Sequence, residues 1–532
     1  MKLKERIIWL GPIAGTLLYL AIKLLYACSF AGTTIMLISL GVLLGVIALV
    51  LFAFTVGSHP VGQIIFSVVL ILLLPLALPM FIQSRATAHW ILTIIVLYET
   101  VTSTFALIDA IRNFKDLDRK YVEYFKPRNK VKNQIALWSI IAIAGLGGFT
   151  GLFSSALEYQ DLSPQTFVIS NSQAQGIELV SYLPTPSTLT QEIVDIFQLY
   201  NVCWSFDPSE SALEINTTAA DELAAAIQMC MNSGVKVELW PLFSPDDGHY
   251  PSLLNLHEHW PRLYEKFYNF CDYYNVTVDY FMWDVEYPLG TNPLPMDDPL
   301  FNSSDAIEPW KFLLNEAENN RQWARNRALW SSGLQIIREL ATNASTINTT
   351  FRATTHTGHV WDLLDGDNDL QQRSGLTAWD LVRDGTFQYC SQMAYRGCEG
   401  GGNSSSAMIY KNVQALERVL ARDYPGQDKP NAVCIGCIAF DPYPTVASIV
   451  DDVRLSIAAG AEAVRIFQLN SWRFMDGGHA VNDSSGESVL DIFKGSREGG
   501  SVTYYPSKDQ ELNTFVAILG DVLLDLCTPI GF

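Results

Sequence analysis

The chain has 532 residues, 49% of them hydrophobic, and a formal charge of −20. That length exceeds one ordinary core, so at least two structural units are expected. The acidic balance excludes nucleic acid as a partner, because phosphate backbones would be repelled.

The two ends differ in composition. Before residue 151 there are 13 Lys/Arg against 6 Asp/Glu, leaving 22 against 49 beyond it, a balance of about −27. Apolar runs cover 7–27, 34–56, 61–82, 90–110 and 134–157 with almost no charge. Each is about 20 residues, the length that crosses a ~30 Å hydrocarbon layer as a helix. The first run follows Lys2, Lys4 and Arg6, a pattern shared with signal peptides, but the later runs are equally hydrophobic. Five membrane spans in a helical region 1–157 are therefore expected. Among the ionisable residues of these runs, Lys23 and Asp109 lie near the ends and Glu99 is the most interior.

Residues 111–133, with Arg112, Lys115, Arg119, Lys120, Lys126, Arg128, Lys130 and Lys132, form a basic loop that the positive-inside rule assigns to the cytoplasm. The N-terminus is then cytoplasmic too, and everything after 157 lies in the lumen of the secretory pathway or outside the cell. Asn-x-Ser/Thr triplets agree: Asn216, Asn275, Asn302, Asn343, Asn348, Asn403 and Asn482 all follow residue 157. They are the expected glycosylation sites. Cys203, Cys230, Cys271, Cys390, Cys398, Cys434, Cys437 and Cys527 share that side, so disulfides of unreadable pairing are expected, with Cys434-x-x-Cys437 on an apolar strand read as buried thiols or an ordinary disulfide.

After a linker at 158–175, the segment 176–532 alternates short β-rich runs with amphipathic stretches. Strands are predicted at 177–183, 202–206, 235–242, 278–286, 351–357, 389–394, 432–440 and 463–469. Helices are predicted at 190–200, 219–231, 257–274, 309–341, 405–422, 445–459 and 509–526, with only a short one at 377–383 between strands five and six. Eight strands in this rhythm predict a (β/α)8 barrel. A doubly wound open sheet is the alternative, without a glycine-rich phosphate turn to favour it.

Working residues of such a barrel stand at the C-terminal ends of strands. The fourth strand ends Met282-Trp283-Asp284-Val285-Glu286-Tyr287-Pro288, and alternation puts Met282, Asp284 and Glu286 on one face. Two neighbouring carboxylates in a partly apolar pocket separate their proton affinities, one donating a proton and one staying ionised. Trp240, Trp283, Trp361, Phe467 and Trp472 lie near strand ends, where a ring either stacks on a sugar face or packs under a helix. Trp283 faces away from Glu286 and reads as core. His356-Thr357-Gly358-His359 follows strand five, and the first strand lacks the His-x-His of metal-dependent hydrolases. His356 is a candidate substrate contact, and neither a metal nor a cofactor is implied.

With Asp279 added, this strand resembles the Asp-x-x-Asp-x-Asp-x-Glu motif, often followed by Tyr-Pro, of glycoside hydrolase family 18, the chitinase-like barrels. Met282 stands at the family's middle aspartate. Gln392-Met393-Ala394-Tyr395 is similar to the family's Met-x-Tyr-Asp, with Arg396 at the final aspartate. Val464-Arg465-Ile466-Phe467-Gln468-Leu469 is similar to its last strand, with Phe467 at the usual tryptophan and Trp472 just beyond. Glu238-Leu239-Trp240-Pro241 replaces the third-strand Ser-x-Gly-Gly.

The resemblance implies a retaining glycosidase in which Glu286 is the general acid. Asp284 would orient the substrate's 2-acetamido group as it attacks the anomeric carbon, and Tyr395 would hydrogen-bond that group. Trp240, Trp472, Phe467, Gln468, Met393, Arg396 and His356 would line the substrate. The expected partners are an N-acetylhexosamine-containing glycan and the lipid bilayer. Two other classes stay open: a catalytically silent carbohydrate-binding barrel, and a membrane assembly or transport component with a lumenal scaffold.

Overall fold

The computed structural model describes residues 164–182, 185–243, 256–285, 333–356, 379–395, 406–426, 429–436, 445–467, 475–476, 479–480 and 487–506, with scattered positions within 18–28, 36–43, 360–366 and 514–522 and at 443. The chain divides into two compact units: Met1–Asp161 with Ile307–Gln322 and Glu511–Phe532, and Leu162–Ala306 with Trp323–Gln510.

The second unit is built on a closed, all-parallel barrel of eight strands. In chain order they are β2 (Glu178–Tyr182), β3 (Val202–Phe206), β4 (Val237–Leu239), β5 (Tyr280–Asp284), β6 (Thr350–His356), β7 (Cys390–Met393), β8 (Ala432–Gly436) and β9 (Ala463–Phe467). β9 pairs with β2 to close the ring. Between them run α2 (Gln191–Tyr200), α3 (Thr218–Ser233), α4 (Leu256–Tyr274), a helix over 333–345 (α5), α6 (Trp379–Arg383), α7 (Ser406–Asp423) and α8 (Val446–Ala458), and α9 (Val489–Arg497) follows β9. The barrel half of the expected architecture, with its eight strands in the predicted order, is thus present.

Local chemistry sets the element ends. The Thr217 side chain accepts from Ala220 N at the start of α3, and Gly234 ends it at φ 70°. Thr445 and Ser448 form a capping box before α8. Alternation then sorts each strand into two faces. On β5, Trp283 stacks on Trp260 of α4 at 3.9 Å and Phe281 meets Phe267 edge-on at 4.7 Å, so Trp283 is the core residue that alternation predicts. Tyr280, Met282 and Asp284 face the barrel axis.

The axis holds an ionic ladder rather than stacked aliphatic layers. Glu238 of β4, fully buried, receives hydrogen bonds from Ser205 Oγ at 2.8 Å, from both terminal nitrogens of Arg465 and from Arg352 Nη1 at 3.3 Å. Arg352 continues to Glu178 Oε1 at 2.7 Å and places its guanidinium 3.1 Å from the Tyr280 ring centroid. Two arginines and two glutamates balance. Above them Met282, fully buried, packs with Trp240, Tyr389, Ala432 and Ala463.

Two expectations are corrected. The stretch expected as a linker, 158–175, supplies β1 (Gln165–Ile169), paired antiparallel with β12 (Gly500–Tyr504), and most of α1 (Asn171–Gly176). In Gln165–Ile169 the inward period of Phe167 and Ile169 is hidden in the sequence by the apolar Val168, which is 76% exposed. Two small strands, β10 (Met475–Asp476) and β11 (His479–Ala480), pair beyond β9. The disulfide expectation fails among the described residues: Cys28, Cys203, Cys230, Cys271, Cys390 and Cys434 are free and buried. Those on strands and helices pack singly as small apolar side chains. Finally, no helix among the described residues is long and apolar enough to cross a membrane. The five apolar runs and the basic loop lie outside them, apart from helical positions within 18–28 and 36–43.

Candidate functional site

The C-terminal ends of the barrel strands converge on an aromatic floor. Tyr182 ends β2, Trp240 follows β4, Phe467 ends β9 and Tyr395 lies just past β7. Phe467 is the hub, with Tyr182 at 5.0 Å, Trp240 at 5.6 Å and Tyr395 stacked at 5.1 Å between ring centroids. Gly436 makes this possible. It ends β8 at φ 121°, and a Cβ there would come within 2.6 Å of the Phe467 carbonyl oxygen, so only glycine admits the two strand ends this close.

Asp284, the last residue of β5, is buried at this mouth. Cys434 ties it to the aromatic side: its thiol donates to Tyr395 Oη at 3.4 Å, and the thiol is pushed up to about 11, first by burial and in part by the Asp284 charge. Met393 packs in the same cluster with Tyr395, Cys434 and Phe467. Opposite, the Tyr182 hydroxyl donates to Asp207, the first residue after β3. Burial, the Asp207 charge and that hydrogen bond together push the Tyr182 hydroxyl far above its ordinary range, so it stays protonated. Beneath the floor the Arg465 guanidinium lies 5.5 Å from the Trp240 ring, and Trp240 Nε1 is buried with no acceptor among the described residues. The mouth therefore combines flat aromatic rings with a buried carboxylate and hydroxyls.

Of the residues singled out from sequence, Asp284, Tyr395, Trp240, Phe467 and Met393 are brought together here. His356 ends β6 in register with Met393. Glu286, Arg396, Gln468 and Trp472 lie outside the described residues, as do Asn302, Asn403 and Asn482. Sequence reasoning missed Tyr182, Asp207 and Cys434. The signal for Tyr182 and Asp207 was available in their positions, the last residue of the first barrel strand and the first after the second. Cys434 carries no signal of a site in the sequence, being one of eight cysteines on that side of residue 157. Among the described residues no group of three or more His, Cys, Asp or Glu is placed to hold a metal ion.

No family model matches the sequence, and no curated protein matches it. Solved structures to which the chain is similar include the PgaB (BpsB) glycoside hydrolase domain from Bordetella bronchiseptica, at 10% identity and TM-score 0.33, covering 55% of this chain and 93% of that one. The endo-beta-1,4-mannanase from Thermotoga petrophila is similar at 9% identity and TM-score 0.36, over 60% of this chain and 75% of that one. A fructose-bisphosphate aldolase from Campylobacter jejuni is similar at 11% and 0.32, over 71% and 95%.

Proposed function

We propose that this chain is a membrane-anchored glycoside hydrolase whose barrel, on the non-cytoplasmic side, cleaves a glycan containing N-acetylhexosamine. The observation that carries the reading is the aromatic floor of Tyr182, Trp240, Tyr395 and Phe467 around a buried strand-end carboxylate, Asp284. Glu286, two residues along the same strand in sequence, is the general acid. It protonates the glycosidic oxygen as the C1–O bond breaks, while the substrate's acetamido oxygen attacks C1 from the other face. Asp284 orients the acetamido group and stabilises the positive charge that develops on it. Water activated by Glu286 then opens the cyclic intermediate, so configuration is retained. The charge asymmetry around 111–133 and the exposed sequon asparagines support the placement.

The test is turnover of chromogenic N-acetylglucosaminides and chito-oligosaccharides by the detergent-purified full chain. Glu286→Gln is expected to lose on the order of 10²–10⁴ in kcat, with sugar binding retained. Equal turnover in wild type and Glu286→Gln refutes the mechanism. Sugar binding by a wild type without turnover selects the silent barrel instead, with Met282 and Arg396 as the substitutions responsible.

A further inference from the structure

We infer that the N-terminal rim of the barrel around β5 and β6 is an N-glycosylated face, with Asn216, Asn275, Asn343 and Asn348 as the modified residues, at the end opposite the mouth. The inference rests on the non-cytoplasmic placement proposed above. Asn275 lies on the turn between α4 and β5, and Asn343 and Asn348 lie between the last turn of α5 and β6. β5 and β6 are neighbours whose first residues pair, Tyr280 with Thr350, and Thr349 Oγ1 donates to the Val278 carbonyl at 2.7 Å. These three asparagines therefore share one sector, on connections that enter the strands, whereas Asp284 stands where a strand leaves.

Asn216 follows β3 in sequence, yet the fold brings it to the same sector. The Tyr273 hydroxyl donates to Asn216 Oδ1 at 2.7 Å, and Tyr273 is two residues ahead of Asn275. The neighbouring Tyr274 hydroxyl reaches Asp221 Oδ1, also at 2.7 Å.

Each triplet is built to present its asparagine. All four asparagines are exposed, as are the hydroxyl residues two positions on, Thr218, Thr277, Ser345 and Thr350. In three of them the middle residue anchors the loop: Val276, Ala344 and Thr349 are buried. Asn216, Asn275 and Asn348 take φ of 63°, 49° and 59°, a left-handed turn conformation that asparagine tolerates better than most residues. Tyr273, 54% exposed, stands beside Asn216 as an aromatic face on which the first sugar ring can lie. In the modification, the asparagine Nδ2 attacks C1 of an N-acetylhexosamine in a lipid-linked glycosyl pyrophosphate. The C1–N bond forms, the C1–O bond to pyrophosphate breaks, and one Nδ2 proton is lost. The transfer occurs on the extended chain, and the rim is where the folded barrel then has room for its products.

The experiment expresses the full chain in secretion-competent eukaryotic cells, releases N-glycans with an amidase in heavy-oxygen water, and reads each asparagine by peptide mass spectrometry. Conversion to labelled Asp is expected at Asn216, Asn275, Asn343 and Asn348. Thr218→Ala is expected to abolish the label at Asn216 alone; it leaves the Tyr273 hydrogen bond and the Thr217 cap intact, so the loss reports modification and not misfolding. Label at two or more of the four supports the inference, and label at one or none overturns it. If label is then found only at Asn302, Asn403 or Asn482, the placement stands while the rim falls. No label anywhere in the chain removes the placement as well.

Discussion

Glu238 illustrates what a single buried charge does in this barrel. Burial alone would raise its carboxyl pKa, but the Arg465 charge and hydrogen bonds, then Arg352 and Ser205, more than offset it and hold the group below its ordinary value near 4.5. Because the folded pKa is depressed, its stabilising contribution is fully present above pH about 4.5 and is lost as pH falls through the folded value. Acid unfolding of the wild type is therefore expected to begin below pH ~4.5 and to be blunted in Glu238→Gln. That variant strands Arg465 against a neutral amide and is expected to cost about 3–5 kcal/mol at neutral pH, measured by urea denaturation. A Glu238→Met, Arg465→Met double variant is expected to recover most of the loss, because the pair's desolvation cost disappears with the pair. If the single and double variants are equally unstable, packing and not charge sets the penalty.

At the scale of elements, the mouth depends on strand ends that nearly touch. Gly436→Ala forces a Cβ against the Phe467 backbone at a left-handed φ, so β8 and β9 must part locally. A stability loss of roughly 1–3 kcal/mol is expected from the strained backbone, with Phe467 shifted out of its stack with Tyr395. The discriminating readout is sugar affinity beside far-ultraviolet circular dichroism: binding falls while barrel content stays native. Unchanged binding would show that the aromatic floor tolerates movement and is not the recognition surface.

The whole chain adds two features that no single element carries. The β1–β12 ribbon joins segments more than 300 residues apart, and Phe167 stacks on Tyr410, which stacks on Tyr504 at 4.4 Å. Gly499 sits where a Cβ would meet the Ile169 carbonyl at 2.4 Å, so the ribbon closes against the chain's own backbone. Ile169→Ala is expected to cost about 2–5 kcal/mol by leaving a cavity under the ribbon. A thermal melt checks it, and a midpoint equal to wild type would make the ribbon an ornament of the barrel. The proposed topology predicts that in sealed vesicles the segment after 160 resists protease from the cytoplasmic side, whereas 111–133 is cleaved. Cleavage of the barrel from that side overturns the topology.

The sequence by itself determined the barrel. Eight β-rich runs separated by amphipathic stretches carry their period in neighbouring residues, and alternation on β5 was enough to separate Trp283, packed on α4, from Asp284 at the mouth. It also picked out Trp240 and Phe467, because strand-end position is legible along the chain, and Met393 and Tyr395 through the motif resemblance at Gln392–Tyr395. Only the tertiary structure decided what depends on closure of the ring. Glu238 and Arg465 are 227 positions apart yet share one carboxylate. Tyr182 and Phe467 come from the two strands that seal the barrel, and β1 finds its partner only at β12. Such pairings follow from which strand ends meet in space, and no local period in the chain records that.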